Sequence, residues 1–212
     1  MTQANPADIE AEPEAVSAVS RAVGWVMTVA GIIGAAAAFV LTVEKLRLAA
    51  DPDYLPSCSI NPVLSCGSVM ASPQAEAFGF SNSLMGLIGF PLLACLGLMA
   101  ATGVRLPRWA WRAAQVGVTF GVVFVHWLIF QSLYRIEALC PYCMVVWAGM
   151  IPAFWYVTLH NLQQRHVPWP RSRQRGVTAL ARLHTTGLAL WFAAIVALIA
   201  QSFWDQWMLM LA

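Results

Sequence analysis

Two pairs of cysteines are the residues of this chain best suited to chemistry. One pair is Cys140-Pro-Tyr-Cys143, at the start of a long apolar segment, and the other is Cys58 and Cys66, in a polar stretch between two apolar segments. Thiol–disulfide exchange needs a thiolate that can reach a disulfide, so two neighbouring pairs allow a redox state to be handed on. The two pairs therefore predict a relay for electrons.

The Cys140-Pro-Tyr-Cys143 motif is predicted to begin a helix. Pro141 suits the first helical position, because its missing N–H would be unpaired there. Cys140 is then near the N-cap and Cys143 is in the first turn, where free amides and the helix dipole stabilise a thiolate. Two cysteines merely packed at a helix end are the weaker interpretation. A glutaredoxin-type soluble framework is rejected, because Met144–Val157 carries no charge and continues the apolar segment.

The second pair belongs to a loop, since Cys58 and Cys66 are eight positions apart with Pro62 between them. We expect a short helix on the membrane surface within Val63–Ala71. Taken alone, a static loop disulfide explains this pair about as well as a catalytic one. A zinc site built from all four cysteines is disfavoured, because structural zinc sites usually have tighter ligand spacing.

Composition identifies an integral membrane protein. The 212 residues are 59% hydrophobic and 10% charged, whereas a soluble domain is typically about 45–50% apolar and about 25% charged. The net charge of +2 is too small to indicate a nucleic-acid partner. Five apolar segments have the length of about 20 residues that a bilayer requires, namely Ala22–Val43, Ser83–Thr102, Ala113–Leu133, Leu139–Leu159 and Thr186–Leu209.

Basic residues predict the orientation of these segments. Eight arginines lie in the second and fourth connections, Arg21 precedes the first segment, and only Lys45, Arg47 and Arg135 lie on the other side. The positive-inside rule places the N-terminus in the cytoplasm and the C-terminus outside. Both cysteine pairs are then on the outer face, where disulfides persist. Met1–Ser20 is acidic and lacks the basic start of a signal peptide, so we expect a flexible cytoplasmic tail.

Of four further residues, one has only a structural interpretation and three have both a structural and a functional one. Cys95, alone in the second segment, is expected to be a small buried apolar residue. His126 is an intramembrane ionisable residue and so a functional candidate, but a neutral packed histidine explains it equally. Asn82 is either a helix cap or a hydrogen-bond donor to a ligand. Trp147, one turn after Cys143, is either a core residue or one wall of a slot for a flat ring.

Taken together, the motifs resemble the bacterial form of the vitamin K epoxide reductase family over about Ala22–His160. The residues that carry the resemblance are Cys58-Ser-Ile-Asn-Pro-Val-Leu-Ser-Cys66, Ser72, Ser81-Asn82-Ser83 and Cys140-Pro-Tyr-Cys143. Trp147 departs from it, since relatives often have tyrosine there. The DsbB type of quinone-linked enzyme is similar in function, but its two cysteine motifs come in the reverse order.

The resemblance implies an all-α fold with a four-helix bundle around a quinone, either menaquinone or ubiquinone, and a fifth helix as the usual bacterial addition. The loop cysteines would fold over the quinone. Cys58 would meet the electron-donating partner, Cys66 would exchange with Cys140, and Cys143 would face the quinone. Asn82, Ser72 and Trp147 would line the ligand site.

The resulting domain scheme has a cytoplasmic tail at 1–20, a catalytic core at 21–160, a basic cytoplasmic loop at 161–184 and the fifth transmembrane helix at 185–212. No metal is expected.

The function that follows is a plasma (inner) membrane thiol oxidoreductase that makes disulfides for exported proteins. It would reoxidise a thioredoxin-like, DsbA-like carrier and pass the electrons to a membrane quinone. Many bacterial relatives continue into a thioredoxin-like domain, whereas this sequence ends at Ala212, so we expect a separate exported carrier. The alternative is a non-enzymatic membrane protein with structural disulfides, such as a channel or an assembly factor. Structural disulfides resist glutathione, whereas catalytic ones exchange readily.

Overall fold

A computed structural model describes residues 6–51, 53–61, 63–166, 174–204, 206 and 208. Within these residues the chain is helical, and its one β-type contact is a bridge between Leu64 and Leu139. The α-helices of this part of the chain are α1 (Pro6–Ala50), α2 (Cys66–Ala71), α3 (Asn82–Ala101), α4 (Arg108–Gln131), α5 (Pro141–Gln163), α6 (Gln174–Arg182) and α7 (His184–Ser202). A 3₁₀ turn at Pro73–Glu76 and a π-helical turn at Ser132–Ile136 accompany them.

Five helices are long and apolar enough to cross a membrane, and they confirm the predicted all-α, multi-pass membrane protein. The spans are Val19–Ala50, Asn82–Ala101, Arg108–Ile136, Pro141–Gln163 and His184–Ser202.

Two parts of the predicted organisation differ in the structure, and one predicted boundary lies outside the described residues. Helix α1 already begins at Pro6, so residues 6–20 continue the helix where a flexible tail was expected, and residues 1–5 lie outside the described part. The connection predicted at 161–184 contains α6, and residues 167–173 of it lie outside the description. The predicted end of the fifth segment, Leu209, is likewise not among the described residues.

Helix α1 is the centre of a four-helix bundle, because it packs against α3 and α5, while α4 packs against α5. Small residues bring α1 and α3 close together. A Cβ atom on Gly31 would lie 2.6 Å from the backbone nitrogen of Ala94, and one on Gly97 would lie 2.5 Å from that of Thr28. Without a hydrophobic driving force between helices in lipid, such close backbone contact favours their association.

The fifth membrane helix, α7, is attached to the bundle through Trp191. Its indole Nε1 donates to Nε2 of His126 over 2.9 Å, and its ring meets Phe154 and Trp155 edge-on. Because Nε2 of His126 accepts, Nδ1 carries the proton and donates to the carbonyl of Val122 over 2.7 Å. Both nitrogens of a neutral ring are thus satisfied, which favours the structural interpretation of this histidine.

The two ends of the bundle differ chemically. At one end the Arg21 side chain lies against Gly103, and Nε of Arg112 donates to the carbonyl of His166 over 2.7 Å. Burial lowers the pKa of His166, and the charges of Arg108 and Arg112 lower it further. The cysteine pairs lie at the opposite end, where α5 begins.

Candidate active site

The two cysteine pairs meet in space. Cys58 and Cys66 form a disulfide with a Cα–Cα distance of 5.5 Å, while Cys140 and Cys143 are free thiols. The Sγ atom of Cys66 lies 3.2 Å from the Sγ atom of Cys140. A disulfide sulfur and a free thiol in direct contact are the arrangement that thiol–disulfide exchange requires.

Backbone pairing fixes this contact. The β-bridge between Leu64 and Leu139 is parallel, and the N–H of Ser65 donates to the carbonyl of Leu139 over 2.9 Å. Both paired segments then lead into helices, because α2 begins at Cys66 and the N-cap of α5 is Cys140. The two sulfurs are therefore placed side by side by two helix starts. The sequence analysis did not predict the backbone pairing of Leu64 with Leu139. Its only signal in the sequence is the short apolar stretch before each cysteine.

The local structure of the Cys140-Pro-Tyr-Cys143 motif agrees with its prediction. Cys140 is the N-cap residue, and Pro141 opens α5. A hydrogen bond from the thiol of Cys143 lowers the pKa of Cys140; burial opposes that effect, and the backbone amides of Cys143 and Tyr142 add to it. The sulfur that touches the loop disulfide is thus the one whose thiolate is stabilised.

Exposure distinguishes the sulfur-bearing residues. Cys58 is 5% exposed, whereas Cys66 is 0% and Cys140 is 1% exposed. Neighbours of Cys58 in the chain project outward, since Leu55 is 82% and Ile60 is 69% exposed. Cys58 is therefore the more exposed of the two cysteines in the loop disulfide.

The last turns of α1 hold the cysteine loop in place. The carboxylate of Glu44 accepts hydrogen bonds from Tyr54 and Ser57, which precede Cys58. Sequence reasoning missed Glu44, because it directly follows the apolar segment beside Lys45 and Arg47, where a charged residue is ordinary.

The neighbouring residue Lys45 holds the other limb of the loop. Its Nζ donates to the carbonyl of Met70 over 2.9 Å and forms a 2.8 Å ion pair with Glu76. In the sequence Lys45 had contributed only to the prediction of orientation. The loop that carries the disulfide is therefore anchored to α1 on both sides of Cys66.

The side chain of Asn82 does not cap a helix but forms hydrogen bonds with the loop that precedes α3. It is the first residue of α3, whose N-cap is Ser81, and no side chain caps this helix. Nδ2 of Asn82 donates to the carbonyl of Gln74 over 2.7 Å, and Oδ1 accepts from the N–H of Ala77 over 3.1 Å. The helix-cap interpretation is therefore wrong, and the amide instead closes the loop against α3. This contact engages one of the two hydrogens on Nδ2.

An apolar cavity of about 580 Å³ lies between α3 and α4 and reaches Cys143, Trp147 and Asn82. Trp147 is 4% exposed, and its indole Nε1 has no hydrogen-bond partner among the described residues. Such a donor is costly to leave unpaired. Ser72 lines only a smaller adjoining cavity, and its hydroxyl donates to the carbonyl of Val69 over 2.6 Å.

A quinone fits this cavity chemically. The volume lies within the range of about 300–1,000 Å³ typical of small-molecule sites. The walls suit a flat ring and an apolar tail, while the unpaired N–H of Trp147 and the second amide hydrogen of Asn82 suit carbonyl oxygens. Cys143 lines the same space, so an electron acceptor bound there would meet a cysteine of the relay.

Comparison with known proteins gives one assignment. A search of curated proteins finds no match to this chain. In a scan against family models, residues 25–158 match the vitamin K epoxide reductase family. That match covers more than half of the 212 residues and includes all four cysteines of the site. The chain is thus a membrane thiol oxidoreductase that belongs to the vitamin K epoxide reductase family.

Proposed function

We propose that this protein reoxidises a thioredoxin-like, DsbA-like carrier outside the cytoplasm and passes the electrons to a membrane quinone. The observation that carries the proposal is the contact of 3.2 Å between the loop disulfide and Cys140, whose partner Cys143 lines the apolar cavity. A protein whose disulfides are only structural would not need two free thiols beside a disulfide. The non-enzymatic alternative is therefore not favoured.

The first step takes electrons from the carrier. A carrier thiolate attacks Sγ of Cys58, which breaks the bond to Cys66 and forms a mixed disulfide. The second carrier thiolate then attacks the carrier sulfur of that mixed disulfide and releases Cys58. The carrier leaves oxidised, and Cys58 and Cys66 hold its two electrons and two protons.

The second step passes these electrons inward. The Cys66 thiolate attacks Sγ of Cys140 in a Cys140–Cys143 disulfide, and Cys143 leaves. Cys58 then attacks Cys66 and displaces Cys140, which re-forms the loop disulfide and leaves two inner thiols. A loop disulfide beside free Cys140 and Cys143 is the arrangement expected after this step.

A bound quinone supplies the acceptor for two electrons and two protons, which returns the inner pair to a disulfide. Cys143 borders the cavity and would face that acceptor. Trp147 would donate its unpaired N–H to a carbonyl oxygen of the quinone, and Asn82 would donate its second amide hydrogen. The apolar walls keep water away from the reacting thiols.

The test combines the purified protein, a reduced thioredoxin-like carrier and either a menaquinone or a ubiquinone analogue. Quinone absorbance and carrier thiols should fall together, one quinone for each dithiol. Cys58→Ser should stop the reaction. Cys95 is exposed on α3, not buried as predicted, and it borders the cavity but belongs to neither pair, so Cys95→Ser should still oxidise the carrier. Carrier oxidation that proceeds equally without Cys58, or no quinone reduction at all, would refute the proposal.

Trp147→Phe tests the proposed donor in the cavity. It keeps an aromatic ring but removes the N–H, so the KM for quinone should rise roughly ten-fold, the scale of one hydrogen bond in a buried site. Trp127→Phe, on a 37% exposed residue of α4, is the control. An unchanged KM in Trp147→Phe would remove this residue from the ligand site.

A further inference from the structure

Glu44 is a buried carboxylate whose hydrogen bonds all go to one short stretch of chain. It is 4% exposed. Its Oε1 accepts from the hydroxyl of Ser57 over 2.9 Å, and its Oε2 accepts from the hydroxyl of Tyr54 over 3.0 Å and the N–H of Ser57 over 3.3 Å. Burial of a charge is unfavourable unless such bonds are made. The stretch immediately before Cys58 is therefore tied to α1.

The relay places a specific demand on this stretch. From the moment the carrier opens the loop disulfide until Cys66 releases Cys140, Cys58 has no covalent link to Cys66 and must later find it again. After Cys58 the chain keeps one side-chain tie to α2, between the hydroxyl of Ser59 and the N–H of Gly67 over 3.2 Å. Before Cys58, the stretch is held by Glu44, and Nη1 of Arg47 also donates to the hydroxyl of Tyr54 over 3.3 Å.

We propose that Glu44 is a positioning residue for the hand-off, holding Cys58 within reach of Cys66 while the loop disulfide is open. The inference rests on the proposed function, in which that disulfide opens in every cycle. Holding two reacting groups together raises their effective concentration. Glu44 thereby favours closure of the loop disulfide and release of Cys140 from its mixed disulfide with Cys66.

The experiment compares Glu44→Gln with Asp53→Asn, which removes an exposed carboxylate of the same loop. The first readout is the equilibrium of the loop disulfide in glutathione buffers, in a background with Cys140→Ser and Cys143→Ser, so that neither quinone nor carrier is needed. Glu44→Gln should favour the open dithiol by roughly ten-fold or more, the scale of lost hydrogen bonds to a charged group. Asp53→Asn should match wild type.

The second readout is carried out with all cysteines of the relay present. Digestion and mass spectrometry should find the Cys66–Cys140 bond enriched in Glu44→Gln, and carrier-driven turnover should slow by a similar factor. Ser57→Ala should give part of the same effect. The double variant Glu44→Gln, Ser57→Ala should have a smaller effect than the sum of the two single effects, because both changes remove the same contact.

The outcomes separate this inference from the proposed function. Equal loop equilibria in Glu44→Gln and Asp53→Asn, or fully additive effects of Glu44→Gln and Ser57→Ala, would overturn the positioning role. A wild-type protein that fails to oxidise any thioredoxin-like carrier would instead overturn the proposed function, and the glutathione equilibrium would still decide the part played by Glu44.

Discussion

Cys140 contacts both the loop disulfide and the second inner cysteine, Cys143. It touches the disulfide sulfur of Cys66 at 3.2 Å, and the thiol of Cys143 donates a hydrogen bond to it. Of the two inner thiols, it is the one in position to exchange with the loop pair, whereas Cys143 lines the larger cavity. Because their surroundings differ, we expect the two cysteines to have different tasks in the proposed relay.

Removing both Cys58 and Cys143 should trap the relay halfway. Either of these cysteines can displace a bond between Cys66 and Cys140, so in the double variant Cys58→Ser, Cys143→Ser the mixed disulfide should accumulate after mild oxidation. Mass spectrometry of the digested protein measures this peptide pair directly. Free thiols at both Cys66 and Cys140 after oxidation would contradict the hand-off, and Cys95→Ser, which keeps both displacing cysteines, controls for non-specific oxidation.

The hydrogen bond from Cys143 should also control the pKa of Cys140. Because that bond stabilises the thiolate, its removal should raise the pKa, and a smaller fraction of Cys140 should be ionised at neutral pH. The comparison is between Cys143→Ala, which removes the donor, and Cys143→Ser, which keeps a hydroxyl donor. In a background without Cys58, Cys66 and Cys95, the ultraviolet absorbance of the one remaining thiolate gives its titration. Equal midpoints in the two variants would contradict this role.

Local sequence predicted some of these residues and not others. The cysteines and the helix start at Pro141 were predictable because spacing and proline chemistry act within a few residues. The loop contacts of Glu44 and Asn82 were not, because each polar side chain pairs with a loop segment whose position depends on the folded chain. The same holds for Trp147, whose unpaired N–H is visible only once its neighbours are placed.

Among the helices, the close contact between α1 and α3 depends on glycines, which have no side chain, at the points where the two backbones meet. Hydropathy predicted all five spans, because length and apolar composition suffice for that. It could not predict which helices touch, nor the β-bridge that aligns Cys66 with Cys140, because apolar residues facing lipid and those facing another helix have the same composition.

Gly97→Ala should disrupt the contact between α1 and α3. The new Cβ would lie 2.5 Å from the backbone nitrogen of Thr28, so the helices must separate, at a cost of about 1–3 kcal/mol. Gly89→Ala is the matched control in α3, since nothing lies within 4 Å of its Cβ position. Thermal unfolding in detergent should show a lower Tm for Gly97→Ala alone. Equal melting of both variants would mean that this contact does not contribute to stability.

For the molecule as a whole, the difference between its two ends would give the proposed relay a direction. Arginines gather where α1 enters the bundle and α3 ends, whereas the disulfide, the free thiols and the loop lie where α5 begins. If the basic end faces the cytoplasm, the cysteines open to a compartment in which disulfides persist. The carrier would then arrive from water, and the quinone would arrive from the bilayer.

Single cysteines at the two ends test this orientation. In a variant without native cysteines, Leu55→Cys marks the end with the cysteine loop, and Val104→Cys marks the basic end; the native residues there are 82% and 49% exposed. A membrane-impermeant maleimide on intact cells should label Leu55→Cys at once and Val104→Cys only after permeabilisation, because the bilayer shields the cytoplasmic face. Labelling of both after permeabilisation confirms that each site is reactive. The reverse pattern would put the cysteine pairs in the reducing cytosol, where a disulfide-generating relay could not keep its products oxidised.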